Sequence, residues 1–196
     1  AANGPHAEAV ALLVPRREEP LAQEGVSCVG CHVREGAVLS AREVRAPHAI
    51  RYDPSFGTSE ACRGCHEFPF VSFTGGVGHT LDLAMQSTFS EWVASGADDC
   101  QSCHMPLGSH EFRGAHDLRL LRGAVDVEVA AADEGARWTL RSVDVGHALP
   151  TGDLFRHLTL EVERAGLWVP LAWIGRRFDV GPDGEPRLLA DTSLQP

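Results

Sequence analysis

The chain has no lysine. All 17 of its basic side chains are arginines, they face 27 Asp and Glu, and the formal net charge is −10. Nucleic acids and anionic membrane surfaces both reward clustered positive charge, so neither is an expected partner. No apolar run approaches the roughly 18 residues that a bilayer-crossing helix requires, and no transmembrane segment is expected. The first ten residues, AANGPHAEAV, lack both the basic start and the apolar stretch of an export signal. Tyrosine occurs once, as Tyr52. Hydrophobic residues make up 43% of the 196, too many for a disordered chain and enough for one domain or two small ones sharing an interface.

Cysteine is scarce but ordered. The six cysteines form three pairs, Cys28 and Cys31, Cys62 and Cys65, Cys100 and Cys103, and histidine follows each pair at once as His32, His66 and His104. The motifs read CVGCH, CRGCH and CQSCH. C-x-x-C-H is the covalent attachment site of c-type haem. Two thiols at this spacing form thioethers with the two haem vinyl groups, and the next residue offers its imidazole as the proximal iron ligand.

Two other chemistries use paired cysteines. Structural zinc takes thiolate and imidazole ligands in a tetrahedron, and six cysteines could close three disulfides. Neither accounts for the histidine after every pair. With 10 histidines in the chain, chance would place one in all three positions roughly once in ten thousand. The expected cofactors are three covalently bound haem c groups, held by the six cysteines and ligated by His32, His66 and His104.

The fold class expected is mixed. Residues 1–118 hold every haem motif, are rich in Gly and Pro, and read as a trihaem domain of coil and short helices. One helix is expected from Asp82 to Ser95, because Met85, Phe89, Trp92 and Val93 recur on one face and Gly96 stands where a C-terminal cap belongs. Another fits Glu8 to Val14, ahead of Pro15. Residues 119–196 read as an antiparallel β-sandwich-like domain. Val125, Val127 and Val129 alternate with acids, as do Leu158, Leu160 and Val162 with polar residues, and Trp138 and Leu140 fall in the same pattern. Further strands fit Leu167 to Ile174 and Arg177 to Val180. Asp133-Glu134-Gly135 and Gly181-Pro182-Asp183-Gly184 read as turns. The haem half has little aliphatic core of its own, so the macrocycles would supply it.

Seven histidines remain for the sixth coordination positions. His48 follows Pro47 in a loop between the first two motifs. His110 follows His104 closely enough to turn back over the haem cluster. His147 lies in GHALPTG, a Gly- and Pro-punctuated loop between strands that would aim one imidazole. His6, in GPHAEA, precedes the first motif. His157 alternates with apolar residues and reads as a surface group. Met85 fits packing on a helix face better than ligation. His79 and His116 have no such context.

The sequence resembles the bacterial multihaem c-type cytochromes in which a haem domain is fused to a β-sandwich. The resemblance spans most of the chain. It rests on GVSCVGCHVREG at 25–36, APHAIRYDPSFGTSEACRGCHEF at 46–68, MQSTFSEW at 85–92, CQSCHMP with SHEF at 100–112, and VGHALPTGDLFRHLTL at 145–160. It implies bis-histidine haems with distal imidazoles from His48, His110 and His147, and His6 as a further distal ligand. It also implies electron transfer in the periplasm or outside the cell, with redox partner proteins or other cytochrome subunits. Relatives often carry further haem motifs upstream and a longer sandwich, so a longer parent protein is expected, its export signal outside this sequence.

Bis-histidine irons leave no open site, so the chemistry expected is one-electron exchange along closely spaced haems. Four distal candidates for three haems also suggest a homo-oligomer or conductive filament, with His6 reaching a neighbouring chain. The rival is a haem enzyme with one open iron, of the nitrogen-oxide or peroxide reductase type.

Overall fold

The computed structural model describes residues 26–74, 77–133 and 135–196. His6 and the helix expected over Glu8 to Val14 lie outside the described residues. The architecture is mixed, with short helices and several small sheets. Two compact units are present. One holds the described residues up to Cys65 together with those of Val71–Thr80, and the other holds the described residues of His66–Phe70 and Leu81–Pro196.

All three C-x-x-C-H motifs are helical turns: α1 at Cys28–His32, α2 at Glu60–His66 and α4 at Cys100–His104. A helix puts residues three and four apart on one side. Both thiols and the histidine of each motif therefore share a face. In the first unit α1 leads into β1 (Val33–Arg34), β2 (Ala37–Ser40) and β3 (Ile50–Tyr52). β1 pairs with β2 antiparallel, and β2 with β3 parallel. Beyond the second motif, β4 (Phe68–Thr74) pairs with β5 (Val77–Gln86). The part before residue 118 thus contains more strand than the expected coil and short helices.

The helix expected from Asp82 begins later. α3 spans Thr88–Ser95, and Asp82 to Gln86 belong to β5. Leu81, Leu83 and Met85 are half-buried while Asp82 and Ala84 are exposed, a period of two that competes with the helical one. The β4 partner decides in favour of the strand, and Met85 is a strand residue. The other end behaves as expected. Gly96 closes α3 in a left-handed conformation with φ of 68°, and its N–H donates to Trp92 O at 3.2 Å.

After α5 (Leu118–Ala124) come β6 (Val125–Ala132) and β7 (Gly135–Ser142), an antiparallel pair that matches Val127 to Leu140 and Val129 to Trp138. A second sheet has the order β10-β9-β8, with β8 at His157–Arg164, β9 at Leu167–Val180 and β10 at Pro186–Asp191. The two segments expected between Leu167 and Val180 are one strand. Val127 and Val129 stay 46% and 54% exposed, so the inner face of the β6–β7 hairpin is not sealed as in a closed sandwich.

The apolar core is small. Among the described residues the buried apolar side chains are Leu39, Phe89, Ala124, Ala148, Leu154 and Ile174. Phe89 lies on α3, and Ala148 and Leu154 lie in the loop between β7 and β8. The best-sealed part of the second unit therefore surrounds that loop.

Candidate functional site

The three motif histidines are reached from three helical turns, and two of them share one fixing device. His32 Nδ1 lies 3.1 Å from Leu39 O. A carbonyl oxygen only accepts, so the proton is on Nδ1 and the Nε2 lone pair remains for a ligand. The ring also meets Phe56 edge-on, with centroids 4.8 Å apart. Leu39 and Phe56 line a cleft of about 370 Å³ that Arg34 and Arg51 border. His104 is gripped twice by one residue. Its Nδ1 donates to Arg113 O, and Arg113 N–H donates to His104 O at 3.2 Å. The Arg113 side chain is itself held between Glu111 at 3.6 Å and Asp117 at 3.9 Å.

His147 has the same arrangement. Its Nδ1 lies 2.9 Å from Ala148 O, which again leaves Nε2 open. The GHALPTG loop that carries it brings His147 beside His104. Their ring centroids are 6.1 Å apart, and their planes differ by 12°. An imidazole nitrogen sits about 2 Å from a bound transition metal. The ring centre lies roughly one ångström farther, so two imidazoles facing each other across one metal have centroids about 6 Å apart. The separation of the His104 and His147 rings is compatible with that spacing.

His66 ends α2 in the same unit. Burial first, and then the positive charges of His104, His147 and Arg156, hold its imidazole below the ordinary histidine range, against the raising effect of the Gln86 side chain. His48 is exposed in the loop between β2 and β3, and His110 is exposed with its ring edge-on to Phe112 at 6.2 Å. His157 is exposed, as expected, with its ring along Trp173 at 5.3 Å.

None of the six cysteines, all of them described, is joined in a disulfide. Among the described residues no three His, Cys, Asp or Glu side chains converge as a metal cage. The residues present could hold haem: two thiols and a histidine on one face of each helical turn, with Nδ1 tied to a carbonyl in His32 and His104, and a further imidazole, His147, beside His104.

Sequence reasoning reached His104 and His147 but not the groups that fix them. The carbonyls of Leu39 and Arg113 carry no side-chain signature. Glu91, which bonds to the His147 loop, sits within MQSTFSEW, where T-F-S-E has the spacing of an ordinary helix-capping carboxylate.

Comparisons with protein-family models, with curated proteins and with solved structures find no match to this chain.

Proposed function

We propose that the chain is an extracytoplasmic triple-haem c-type cytochrome that passes single electrons between bis-histidine haems. The observation that carries this reading is the His104–His147 pair, 6.1 Å between ring centroids and 12° between planes, with both Nδ1 atoms tied to carbonyls. Covalently held haem supplies the one-electron chemistry when bound.

The chain's residues divide the remaining work. Cys28 and Cys31, Cys62 and Cys65, and Cys100 and Cys103 are the thioether donors. His32, His66 and His104 would hold the irons as the ligands of their motifs, and His147 would supply a second imidazole to the haem of His104. His48, His110 and His6 remain the distal candidates for the other two irons. The carbonyls of Leu39, Arg113 and Ala148 take the Nδ1 protons, fix the tautomers and raise the basicity of the ligating nitrogens. Two imidazole donors favour ferric iron relative to His/Met ligation and so lower the potential. The acidic charge balance works in the same direction. Partners of this kind are redox proteins or other cytochrome subunits in the periplasm or outside the cell, in a respiratory complex or a filament.

His147→Ala tests the reading. The variant should keep its covalent haems and turn one iron in three high-spin. The potential of that haem should rise by on the order of 0.1 V, within the roughly 0.8 V that axial ligands span. A parent-like spectrum of the His147→Ala protein would refute the pairing. A high-spin iron already present in the parent would favour the open-site reductase reading.

A further inference from the structure

The GHALPTG loop is fastened to α3 at three points. Ser95 Oγ donates to Gly146 O at 3.0 Å, just ahead of His147. Ala148 N–H, just behind it, donates to Glu91 Oε2 at 3.2 Å. The Thr151 hydroxyl donates to the same Oε2 at 2.6 Å, and it also shares a 2.8 Å bond with the Thr88 hydroxyl. Ser87 Oγ donates to Glu91 Oε1 at 2.7 Å and steadies the carboxylate from its own helix. On its other side the loop forms a two-bond bridge with Leu194, both bonds at 2.8 Å.

His147 therefore hangs between two residues pinned to one helix. Ala148 is the joint. Glu91 holds its N–H, and its carbonyl accepts the His147 Nδ1 proton at 2.9 Å. A single carboxylate thus governs both the position of the loop and the rotation of the imidazole.

We infer that Glu91 is the positioning residue for His147: it sets the plane and reach of this imidazole as an axial ligand, and with them the near-parallel alignment with His104. The inference rests on the reading of His147 as an iron ligand. Nothing in it requires Glu91 to touch the haem. The role is geometric, because the carboxylate's three bonds end on the loop and on its own helix. A carboxamide keeps one acceptor oxygen at the Oε2 position, so Glu91→Gln preserves the two bonds to the loop, whereas Glu91→Ala removes both.

The test is electron paramagnetic resonance and potentiometry of the ferric, haem-loaded protein. Near-parallel axial imidazoles give a rhombic low-spin signal, and crossed planes give a highly anisotropic one. In Glu91→Ala one iron in three should lose the rhombic signal, with all three haems still attached by mass. Glu91→Gln should restore it. Thr151→Val removes a single pin and should broaden the same signal, which keeps the inference testable if Glu91→Ala does not fold. Amide exchange at Ala148 should quicken in Glu91→Ala and not in Glu91→Gln. A Glu91→Ala protein that carries three haems with parent-like signal and potentials overturns the assignment of Glu91 alone. So does a Glu91→Gln protein as altered as Glu91→Ala, because that result assigns Glu91 a charge role. A parent protein without covalent haem, or a His147→Ala protein with a parent-like spectrum, overturns the reading beneath the inference.

Discussion

At the scale of single residues, Gly146 shows how little freedom the His147 loop has. A Cβ placed on it would meet the Ala97 Cβ at 2.7 Å, well inside contact distance. Gly146→Ala must therefore push the loop away from the end of α3. Overpacking of this kind costs about 1–3 kcal/mol. The displacement also moves His147, so the variant should show lower stability in denaturant titration together with a changed low-spin signal from one haem. Lower stability with a parent-like signal would separate the loop's packing from its ligand role. The glycine and the histidine were both legible in GHALPTG, because a rigid turn aims a side chain. Glu91 was not. A glutamate four residues after a serine, at the start of an amphipathic stretch, is common in helices, and only the fold shows that its second oxygen reaches Ala148 and Thr151 some sixty positions along the chain.

At the scale of elements, α5 illustrates a cap that depends on charge. The Asp117 carboxylate accepts from Arg119 N–H at 2.9 Å and Leu120 N–H at 3.3 Å. The Leu120 and Arg119 bonds, and then the guanidinium groups of Arg113 and Arg119, hold its pKa below the usual 3.8. A carboxyl depressed in the folded state stabilises it above the unfolded value, and this contribution is lost as pH falls through the lowered folded value. Asp117→Asn should therefore flatten the acid limb of the stability curve, measured by denaturant unfolding from about pH 6 down to pH 3. An unchanged acid limb would show that the cap contributes nothing. The stop at Gly96 was readable, because capping chemistry is local, whereas the helix that Asp117 starts was not read from the sequence. The boundary between β5 and α3 was not readable either. The segment from Leu81 to Met85 fits both periods, and its pairing with β4 is not encoded in hydrophobic patterning. β9 was split in two for a related reason. Gly175 and the adjacent arginines interrupt the apolar alternation, while pairing with β8 and β10 carries the strand through.

At the scale of the whole molecule, the small buried core is the central fact. Leu39 is the buried apolar side chain of the first unit among the described residues, and the larger unit is sealed mainly around α3 and the His147 loop. Val26 and Val29 at the first motif, Phe68 after the second and Leu107 after the third are all exposed. Each fully buried side chain of this size is worth about 1.5–3 kcal/mol, so leaving them bare forfeits stability that a large apolar group attached through the neighbouring thiols would recover. The three motifs point to such groups through the spacing of cysteine and histidine, whereas the strands around them were not legible, since they are short and alternate weakly. The most direct measurement is the intact mass of the denatured protein after expression in a host that matures c-type cytochromes. The account expects the polypeptide plus three haems, with the loss of one adduct for each pair of cysteines replaced by alanine. The bare polypeptide mass, or a mass carrying zinc or closed disulfides instead, would contradict it.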